Sequence, residues 1–211
     1  MKLKFDPTLY LVTNSDGLNL ADFLDIIDQA CQGGVTMVQL REKERTGRDY
    51  YELAIKVKAV TDRFGVPLII DDRADIALGI DAAGVHLGAE DLPVAAARAI
   101  MGPGKIVGAT AKTVEAALAA LASGADYLGV GAIYPTATKV KTVITPVETL
   151  RDIAKKVDIP AVAIGGLNAG NLDVLRGSGV GGIAVVNAIM NSKKPKEAAL
   201  ELAKAVRLLK I

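Results

Sequence analysis

The sequence has few of the residue types from which disulfide frameworks, metal clusters and nucleic-acid platforms are built. Its 211 residues include one cysteine, one histidine and no tryptophan. A single cysteine excludes an intramolecular disulfide framework and a cysteine-based zinc site, and a single histidine excludes histidine-rich metal sites. Aromatic residues make up 4% of the chain, which disfavours the stacking surfaces that bind single-stranded nucleic acids.

An excess of one charge and long apolar runs are also lacking. The chain has 25 Lys and Arg against 24 Asp and Glu, whereas nucleic-acid binders usually carry a basic face. No apolar run reaches the roughly 18 residues of a membrane helix, and residues 1–7 lack the apolar run of a signal peptide. We therefore expect a cytoplasmic protein that binds small molecules, with no nucleic-acid or membrane partner. The sequence leaves a homo-oligomer open.

What the chain does contain is typical of a globular α/β protein. Apolar residues make up 51% of the chain and charged residues 23%, which excludes a disordered chain. Eight short and nearly continuous apolar runs are typical of strands buried on both faces. These runs span residues 9–12, 36–40, 68–70, 84–87, 106–109, 127–130, 161–164 and 182–186.

Segments with helical periodicity separate the apolar runs, most clearly at residues 50–60, 113–122 and 195–210. Thr46 with Asp49 resembles a capping box at the start of the first of these helices. Eight alternating strand–helix units predict a (β/α)8 TIM barrel, and we treat the whole chain, residues 1–211, as a single domain. The alternative is an open doubly wound sheet, which usually has a G-x-G-x-x-G motif after its first strand. That motif is absent at this position.

Catalytic and binding residues of a barrel collect where its strands end, and this chain has polar or small residues at those points. They are Gln39, Arg41 and Lys43; Asp71 and Asp72; Glu90 and Asp91; Thr110; Gly165 and Gly166; and Asn187. A long stretch without periodicity, residues 131–146, follows the sixth run, and such a stretch is more often a lid or binding loop than a plain connection. We expect one site at this rim.

Two carboxylates follow adjacent strands, Asp72 after the third run and Asp91 after the fourth. Each precedes a short helix, so each could instead be a helix N-cap. Magnesium typically takes one or two carboxylates from the protein, while water and substrate phosphate complete its octahedron. Together the pair indicates a Mg²⁺ cofactor bound by Asp72 and Asp91.

Positive charge follows the second run. Gln39, Arg41 and Lys43 alternate in sequence, which places all three on one side if the strand continues. Arginine binds phosphate oxygens as a planar fork and lysine as a point charge, so this segment is a candidate diphosphate site. The alternative is a solvent-exposed run of charges.

The loops after the seventh and eighth strands of barrels often hold a phosphate through backbone N–H groups, and Gly165-Gly166 is a candidate for that role. No nucleophile–base pair stands out. His86 lies within an apolar strand and Cys31 ends a helix, so both are expected to be structural. Two anion sites, Mg²⁺ and no nucleophile favour the departure of a diphosphate over hydrolysis.

These strand-end residues resemble those of the thiamine phosphate synthase (thiamine-phosphate pyrophosphorylase) family, and the resemblance covers nearly the whole chain. It is carried by segments in a fixed order. They are Val38-Gln-Leu-Arg-Glu-Lys43, Asp72-Arg73 with Asp75-Ile-Ala-Leu78, Gly84-Val-His-Leu-Gly88 with Glu90-Asp91, Asp126-Tyr-Leu-Gly-Val-Gly131, Pro135-Thr-Ala-Thr-Lys139 and Val162-Ala-Ile-Gly-Gly166.

The resemblance implies a transferase that joins hydroxymethylpyrimidine diphosphate to hydroxyethylthiazole phosphate, with pyrophosphate as the second product and a dissociative mechanism. It implies Mg²⁺ ligands at Asp72 and Asp91 and catalytic roles for Arg41, Lys43, Thr110 and Lys139. The substrate-binding positions that it implies are Gln39, Leu40, Arg41, Glu42, Lys43, Asp71, Thr110, Thr136, Ala137, Thr138, Lys139, Gly166, Val186 and Asn187.

Three positions of the implied site depart from the family's usual residues. Asp71 stands where the family usually has Asn, while Thr110 and Asn187 stand where it usually has Ser. Thr110 keeps the hydroxyl group. Asp71 adds a carboxylate that could tighten magnesium binding or repel a diphosphate, and the longer Asn187 crowds the thiazole phosphate.

Three other functions remain to be compared with this one. The related thiazole tautomerases tend to lose the Thr-x-Thr-Lys loop and use a histidine after the fifth strand, where this chain has Lys112. A phosphosugar epimerase would need an acid–base pair, and no second histidine is present. A non-catalytic phosphate-ligand sensor would have no need of the intact set of charged residues.

Overall fold

The computed structural model describes residues 4–135 and 143–209, and within them eight parallel strands close into a barrel in chain order. Each strand hydrogen-bonds to the next along the chain, and the last pairs with the first. The strands are β1 (Leu9–Val12), β2 (Met37–Leu40), β3 (Leu68–Asp71), β4 (Gly84–Leu87), β5 (Ile106–Thr110), β6 (Tyr127–Gly131), β7 (Ala161–Ile164) and β8 (Gly182–Val185).

Helices follow the strands and cover the outside of the barrel. They are α1 (Leu20–Gln32), α2 (Gly47–Asp62), α3 (Ala74–Gly79), α4 (Val94–Met101), α5 (Val114–Ala122), α6 (Val147–Lys156), α7 (Asn187–Met190) and α8 (Pro195–Leu209). After β7 the chain forms a 3₁₀ helix, Leu172–Leu175, in place of an α-helix. The fold class predicted from the sequence is confirmed, with this one unit shorter than expected.

Alternate residues of each strand point into the barrel and out toward the helices. Tyr10 of β1 belongs to the interior cluster, whereas Leu9 and Leu11 pack in the larger layer between strands and helices. The interior cluster consists of Tyr10, Val12, Met37, Ile69, Ile106, Tyr127, Val162 and Ala184. Its members are at most 6% exposed, so the barrel interior is a packed core and the open, charged site lies at its rim.

The helices form where the sequence predicts them. Thr46 is the N-cap of α2, and its Oγ1 accepts a hydrogen bond from the backbone N–H of Asp49 at 3.3 Å. The stripe of α2 that faces the strands is buried as expected, at Tyr50, Leu53, Ala54, Val57 and Val60. Among the residues that the structure describes, no helix is long and apolar enough to cross a membrane.

Candidate active site at the carboxyl ends of the strands

The ends of β2 and β3 bring two cations onto one carboxylate. Lys43 Nζ lies 3.0 Å from Oδ2 of Asp71, and Arg41 Nε lies 3.8 Å from the same oxygen. Tyr50 of α2 donates its hydroxyl to the carbonyl of Leu40 at 2.6 Å and lies 3.2 Å from the carbonyl of Asp71. This helix therefore fixes the two strand ends side by side, and Arg41 and Lys43 point to the same side, as predicted.

The second carboxylate of β3 occupies an unusual backbone position. Asp72 has a φ of 62°, in the left-handed region that few residues other than glycine adopt. Its N–H donates to the carbonyl of His86 at 2.8 Å, and its carboxylate forms an ion pair with Lys43. The turn directs Asp72 toward the end of β4, where its carboxyl group shares a hydrogen bond with that of Asp91.

Neither carboxylate is a helix cap, the alternative considered above. The N-cap positions of α3 and α4 are Arg73 and Pro93, and neither helix has a side-chain cap. Asp91 instead turns back within its loop, and its Oδ2 accepts the N–H of Gly88 at 2.6 Å. The two carboxylates are therefore brought together by the ends of adjacent strands.

Close packing of these charges changes their acidity. Burial, the hydrogen bond with Asp91 and the charge of Asp71 raise the pKa of Asp72 to about 6, although Lys43 opposes the shift. Burial also acts to raise the pKa of Asp91, but its hydrogen bonds with Asp72 and the Gly88 N–H lower it overall. Burial acts to lower the pKa of Lys43, and the carboxylates of Asp71 and Asp72 raise it overall. The carboxyl group of Asp72 is thus less acidic than that of an ordinary aspartate, whereas that of Asp91 is more acidic.

Gln39 and Thr110 mark the inner wall of the site. Gln39 points into the barrel, where its Nε2 donates to the hydroxyl of Tyr10 at 2.9 Å. Thr110 ends β5, and its Oγ1 lies 3.1 Å from Nε2 of His86. Burial lowers the pKa of His86, so the imidazole is neutral, and its two ring nitrogens lie within hydrogen-bond distance of Tyr127 and Thr110. Cys31 is 7% exposed and packs in the outer core, as predicted.

Two residues of the predicted set point elsewhere. Leu40 is fully buried in the layer between strands and helices. One carboxylate oxygen of Glu42 accepts hydrogen bonds from Ser15 and Arg45, each at 2.8 Å. These side chains support the segment and lie away from the cluster that Lys43 forms with Asp71 and Asp72.

The second predicted site lies at the ends of β7 and β8, which are neighbours in the sheet. Gly165 and Gly166 have φ values of 105° and 64°, and a Cβ on Gly166 would lie 2.6 Å from that of Tyr134. Only glycine fits this turn without displacing the β6 loop. Val186 and Asn187 begin the short helix α7. The predicted residues Thr136, Ala137, Thr138 and Lys139 lie outside the described residues.

Sequence reasoning did not predict a role for two tyrosines inside the barrel, one of which contacts Gln39. Tyr10 and Tyr127 lie within apolar runs, where they read as ordinary core residues. In the structure their hydroxyl groups are 2.8 Å apart inside the barrel. The sequence places them in β1 and β6. It does not show which residues of each strand point into the barrel, since both faces of the strand are apolar.

Fold and site together define a (β/α)8-barrel enzyme with a charged site at the carboxyl ends of its strands. The family model of thiamine monophosphate synthase matches residues 9–189, and the chain belongs to that family, whose members are transferases. Thiamine phosphate synthesis is the function that the comparisons below support.

Curated relatives and a solved structure agree with this assignment. The chain is 54% identical to a thiamine-phosphate synthase of Lacticaseibacillus paracasei over 89% of this chain and 88% of the relative. It is 49% identical to a thiamine-phosphate synthase of Ruminiclostridium cellulolyticum over 96% of each chain. The structure of a thiamine phosphate pyrophosphorylase from Pyrococcus furiosus superposes with a TM-score of 0.87, at 38% identity and over 96% of each chain.

Proposed function

We propose that this chain condenses hydroxymethylpyrimidine diphosphate with hydroxyethylthiazole phosphate in a Mg²⁺-dependent and dissociative reaction. The bond between the pyrimidine methylene carbon and the diphosphate oxygen breaks first, and its electron pair leaves with the pyrophosphate. The pyrimidine ring stabilises the resulting methylene cation. The lone pair of the thiazole nitrogen then forms the new C–N bond, which gives thiamine phosphate.

The observation that carries this proposal is the convergence of Lys43 and Arg41 at the strand ends. Both side chains are partly exposed, at 41% and 24%, and both contact the buried carboxylate of Asp71. They are thus held in place and still face the open end of the barrel. In this position they would bind diphosphate oxygens and stabilise the negative charge that develops as the C–O bond breaks.

The carboxyl groups of the cluster fit a magnesium ion. Three carboxyl groups, on Asp71, Asp72 and Asp91, lie near two cations, Arg41 and Lys43. The carboxyl groups therefore outnumber the cations by one. Among the described residues, no group of three His, Cys, Asp or Glu side chains is arranged to hold a metal. Two carboxylates suffice for Mg²⁺ when water and phosphate supply the other ligands. When bound at Asp72 and Asp91, the ion would add positive charge beside the leaving group.

A dissociative route matches what the site offers chemically. Breaking the C–O bond first leaves no proton for the enzyme to remove, and the thiazole nitrogen attacks through a lone pair. His86, the single histidine, is buried and bonded to Tyr127 and Thr110. The task of the chain is to align two substrates and to stabilise the leaving diphosphate.

The turn after β7 and the start of α7 would bind the thiazole phosphate. Gly165 and Gly166 allow this turn to approach the loop after β6 closely, since added Cβ atoms would overlap Ala132 and Tyr134. The first backbone N–H groups of a helix have no partner within it, and α7 begins at Asn187. We include Thr136, Ala137, Thr138 and Lys139 in the proposed site, on the resemblance of their sequence alone. A cytoplasmic location is also proposed, since the single cysteine is a free thiol.

The test is a turnover assay with the purified chain, both substrates, and either Mg²⁺ or an excess of EDTA. We expect thiamine phosphate, detected by mass, and an equal amount of pyrophosphate only when Mg²⁺ is present. A Lys43→Met variant should lose activity by about 100-fold, while Lys58→Met, which removes a paired lysine from the outer face of α2, should not. Product formation at full rate in EDTA would overturn the metal requirement, and absence of product from folded protein would overturn the reaction.

A further inference from the structure

A chain of hydrogen bonds crosses the inside of the barrel and joins Gln39 to Thr110. Gln39 Nε2 lies 2.9 Å from the hydroxyl of Tyr10, which lies 2.8 Å from that of Tyr127. The Tyr127 hydroxyl lies 2.9 Å from Nδ1 of His86, and Nε2 of His86 lies 3.1 Å from Oγ1 of Thr110. Its two ends are residues of the proposed substrate site, and its three central members are buried.

The barrel makes room for this chain with two glycines. A Cβ on Gly108 of β5 would overlap the ring of Tyr127, and a Cβ on Gly129 of β6 would lie 3.2 Å from Cε1 of His86. Phe5 packs edge-on against the ring of Tyr127, with 5.8 Å between the two ring centroids. The hydroxyl of Tyr127 thus lies between Tyr10 and Nδ1 of His86.

With Gln39 donating its amide N–H to Tyr10, only one direction of donation gives every buried hydrogen between Tyr10 and His86 an acceptor. Burial raises the pKa of both tyrosines, so each keeps one proton to donate, and a neutral imidazole has one donor and one acceptor. Gln39 donates to Tyr10, so Tyr10 must donate to Tyr127 and Tyr127 to Nδ1 of His86. In the opposite direction Tyr127 would donate to Tyr10, and among the described residues the Tyr10 proton would have no acceptor.

This direction determines what Thr110 can offer a ligand. With Nδ1 as the acceptor, the proton of His86 lies on Nε2 and is donated to Oγ1 of Thr110. The hydroxyl proton of Thr110 is then free, and Thr110 is partly exposed at the end of β5. A donor at this point suits a diphosphate oxygen, whereas the opposite direction would consume that proton inside the barrel.

We infer that Tyr127 is a positioning residue, which fixes His86 as its Nε2–H tautomer and thereby presents Thr110 to the substrate as a hydrogen-bond donor. The effect on catalysis rests on the proposed function, but the tautomer does not. Tyr127 is fully buried and acts through its hydrogen bond to His86.

The tautomer can be measured directly because the chain contains one histidine. Selective ¹⁵N labelling of histidine gives one imidazole spectrum, in which the protonated nitrogen is identified by its one-bond coupling to hydrogen. We expect the proton on Nε2 in the unmodified protein. A proton on Nδ1 would overturn the inference, since the chain would then run toward Tyr10 and the amide of Gln39 would be reversed. This result does not depend on any activity.

The consequence for catalysis is tested with Tyr127→Phe, alone and together with Thr110→Val. We expect Tyr127→Phe to lower kcat by about 10- to 100-fold, as loss of a supporting hydrogen bond does elsewhere, and to abolish the single-tautomer spectrum. The matched control is Tyr51→Phe, whose hydroxyl lies 3.5 Å from the carbonyl of Gly79 at the surface. In the Thr110→Val background the further loss from Tyr127→Phe should vanish, because Tyr127 acts through Thr110. Independent, multiplicative losses would overturn the inference, as would unchanged kcat in Tyr127→Phe.

Discussion

The ammonium group of Lys43 lies 3.0 Å from the carboxylate of Asp71, which is 8% exposed. The same carboxylate oxygen lies 3.8 Å from Arg41. Without substrate, therefore, the two cations proposed to bind the diphosphate already face an anion of the protein. A diphosphate must compete with Asp71 for Lys43, or bind on the exposed side of the lysine while Asp71 holds it in place.

We predict that Asp71→Asn lowers the KM for the pyrimidine diphosphate by about two- to fivefold, the range for loss of one partly exposed ion pair. The amide keeps the shape of the side chain and releases the charge of Lys43 and Arg41. Steady-state kinetics at saturating thiazole phosphate would measure the change. Asp75→Asn is the matched control, since Asp75 pairs with Arg73 on the surface at 2.5 Å. A higher KM in Asp71→Asn would mean that the carboxylate itself supports binding.

A second prediction concerns the metal pair. Asp91→Asn should raise the Mg²⁺ concentration for half-maximal activity by about tenfold or more, because one of the two proposed ligands loses its charge. The measurement is activity against free Mg²⁺ at fixed substrate concentrations. Asp81→Asn serves as control, since its carboxylate pairs with Lys105 and is exposed. An unchanged magnesium requirement in Asp91→Asn would place the metal elsewhere.

The sequence was enough to predict the barrel and most of the rim. Near-continuous apolar runs predicted all eight strands to within one residue at each end, since strands buried on both faces must be apolar along their whole length. The meeting of Asp72 with Asp91 followed from the topology, because neighbouring parallel strands end at the same edge. The unit after β7 was predicted as helical, and its glycine-rich segment forms only the 3₁₀ helix Leu172–Leu175.

What the sequence could not predict lies inside the barrel. A run that is apolar on both faces does not say which residues point inward, so nothing distinguished Tyr10 or Tyr127 from its neighbours. The contact between them joins positions 117 residues apart. Likewise, the left-handed conformation of Asp72 and its ion pair with Lys43 depend on the end of β4, which accepts the Asp72 N–H. Such features arise from packing between distant segments.

The third prediction concerns the reactivity of Cys31. Burial, together with the charge of Asp28, raises the pKa of this thiol to about 12, and the residue is 7% exposed. Near pH 8.5 the thiolate population should be about a thousandfold below that of a free cysteine. We expect native protein to react with a thiol reagent at least that much more slowly than protein unfolded in guanidinium. Because the chain has one cysteine, a fast reaction of native protein would contradict the buried position directly.

The last prediction tests why β5 has a glycine at position 108. The two possible reasons are the space that the ring of Tyr127 occupies and the backbone conformation of Gly108. Gly108 has no positive φ, so its backbone accepts an alanine, but the added Cβ would overlap the ring of Tyr127. Tyr127 is fully buried, so its ring can move only by displacing neighbouring core residues. Overpacking of this kind typically costs about 1–3 kcal/mol, which in a chain of this size lowers Tm by roughly 3–10 °C.

Gly104→Ala is the matched control for Gly108→Ala, since a Cβ at Gly104 would meet nothing within 4 Å. Its Tm should stay close to that of the unmodified protein. Thermal unfolding followed by circular dichroism compares the two variants directly, and equal Tm values would show that the ring of Tyr127 can shift. If Tyr127 is displaced, the Gly108→Ala protein should also lose the single His86 tautomer, because the hydroxyl that donates to Nδ1 would no longer be in reach. A lower Tm with the tautomer intact would mean that the strain is relieved by the backbone of β5 and that the hydrogen-bond chain survives it.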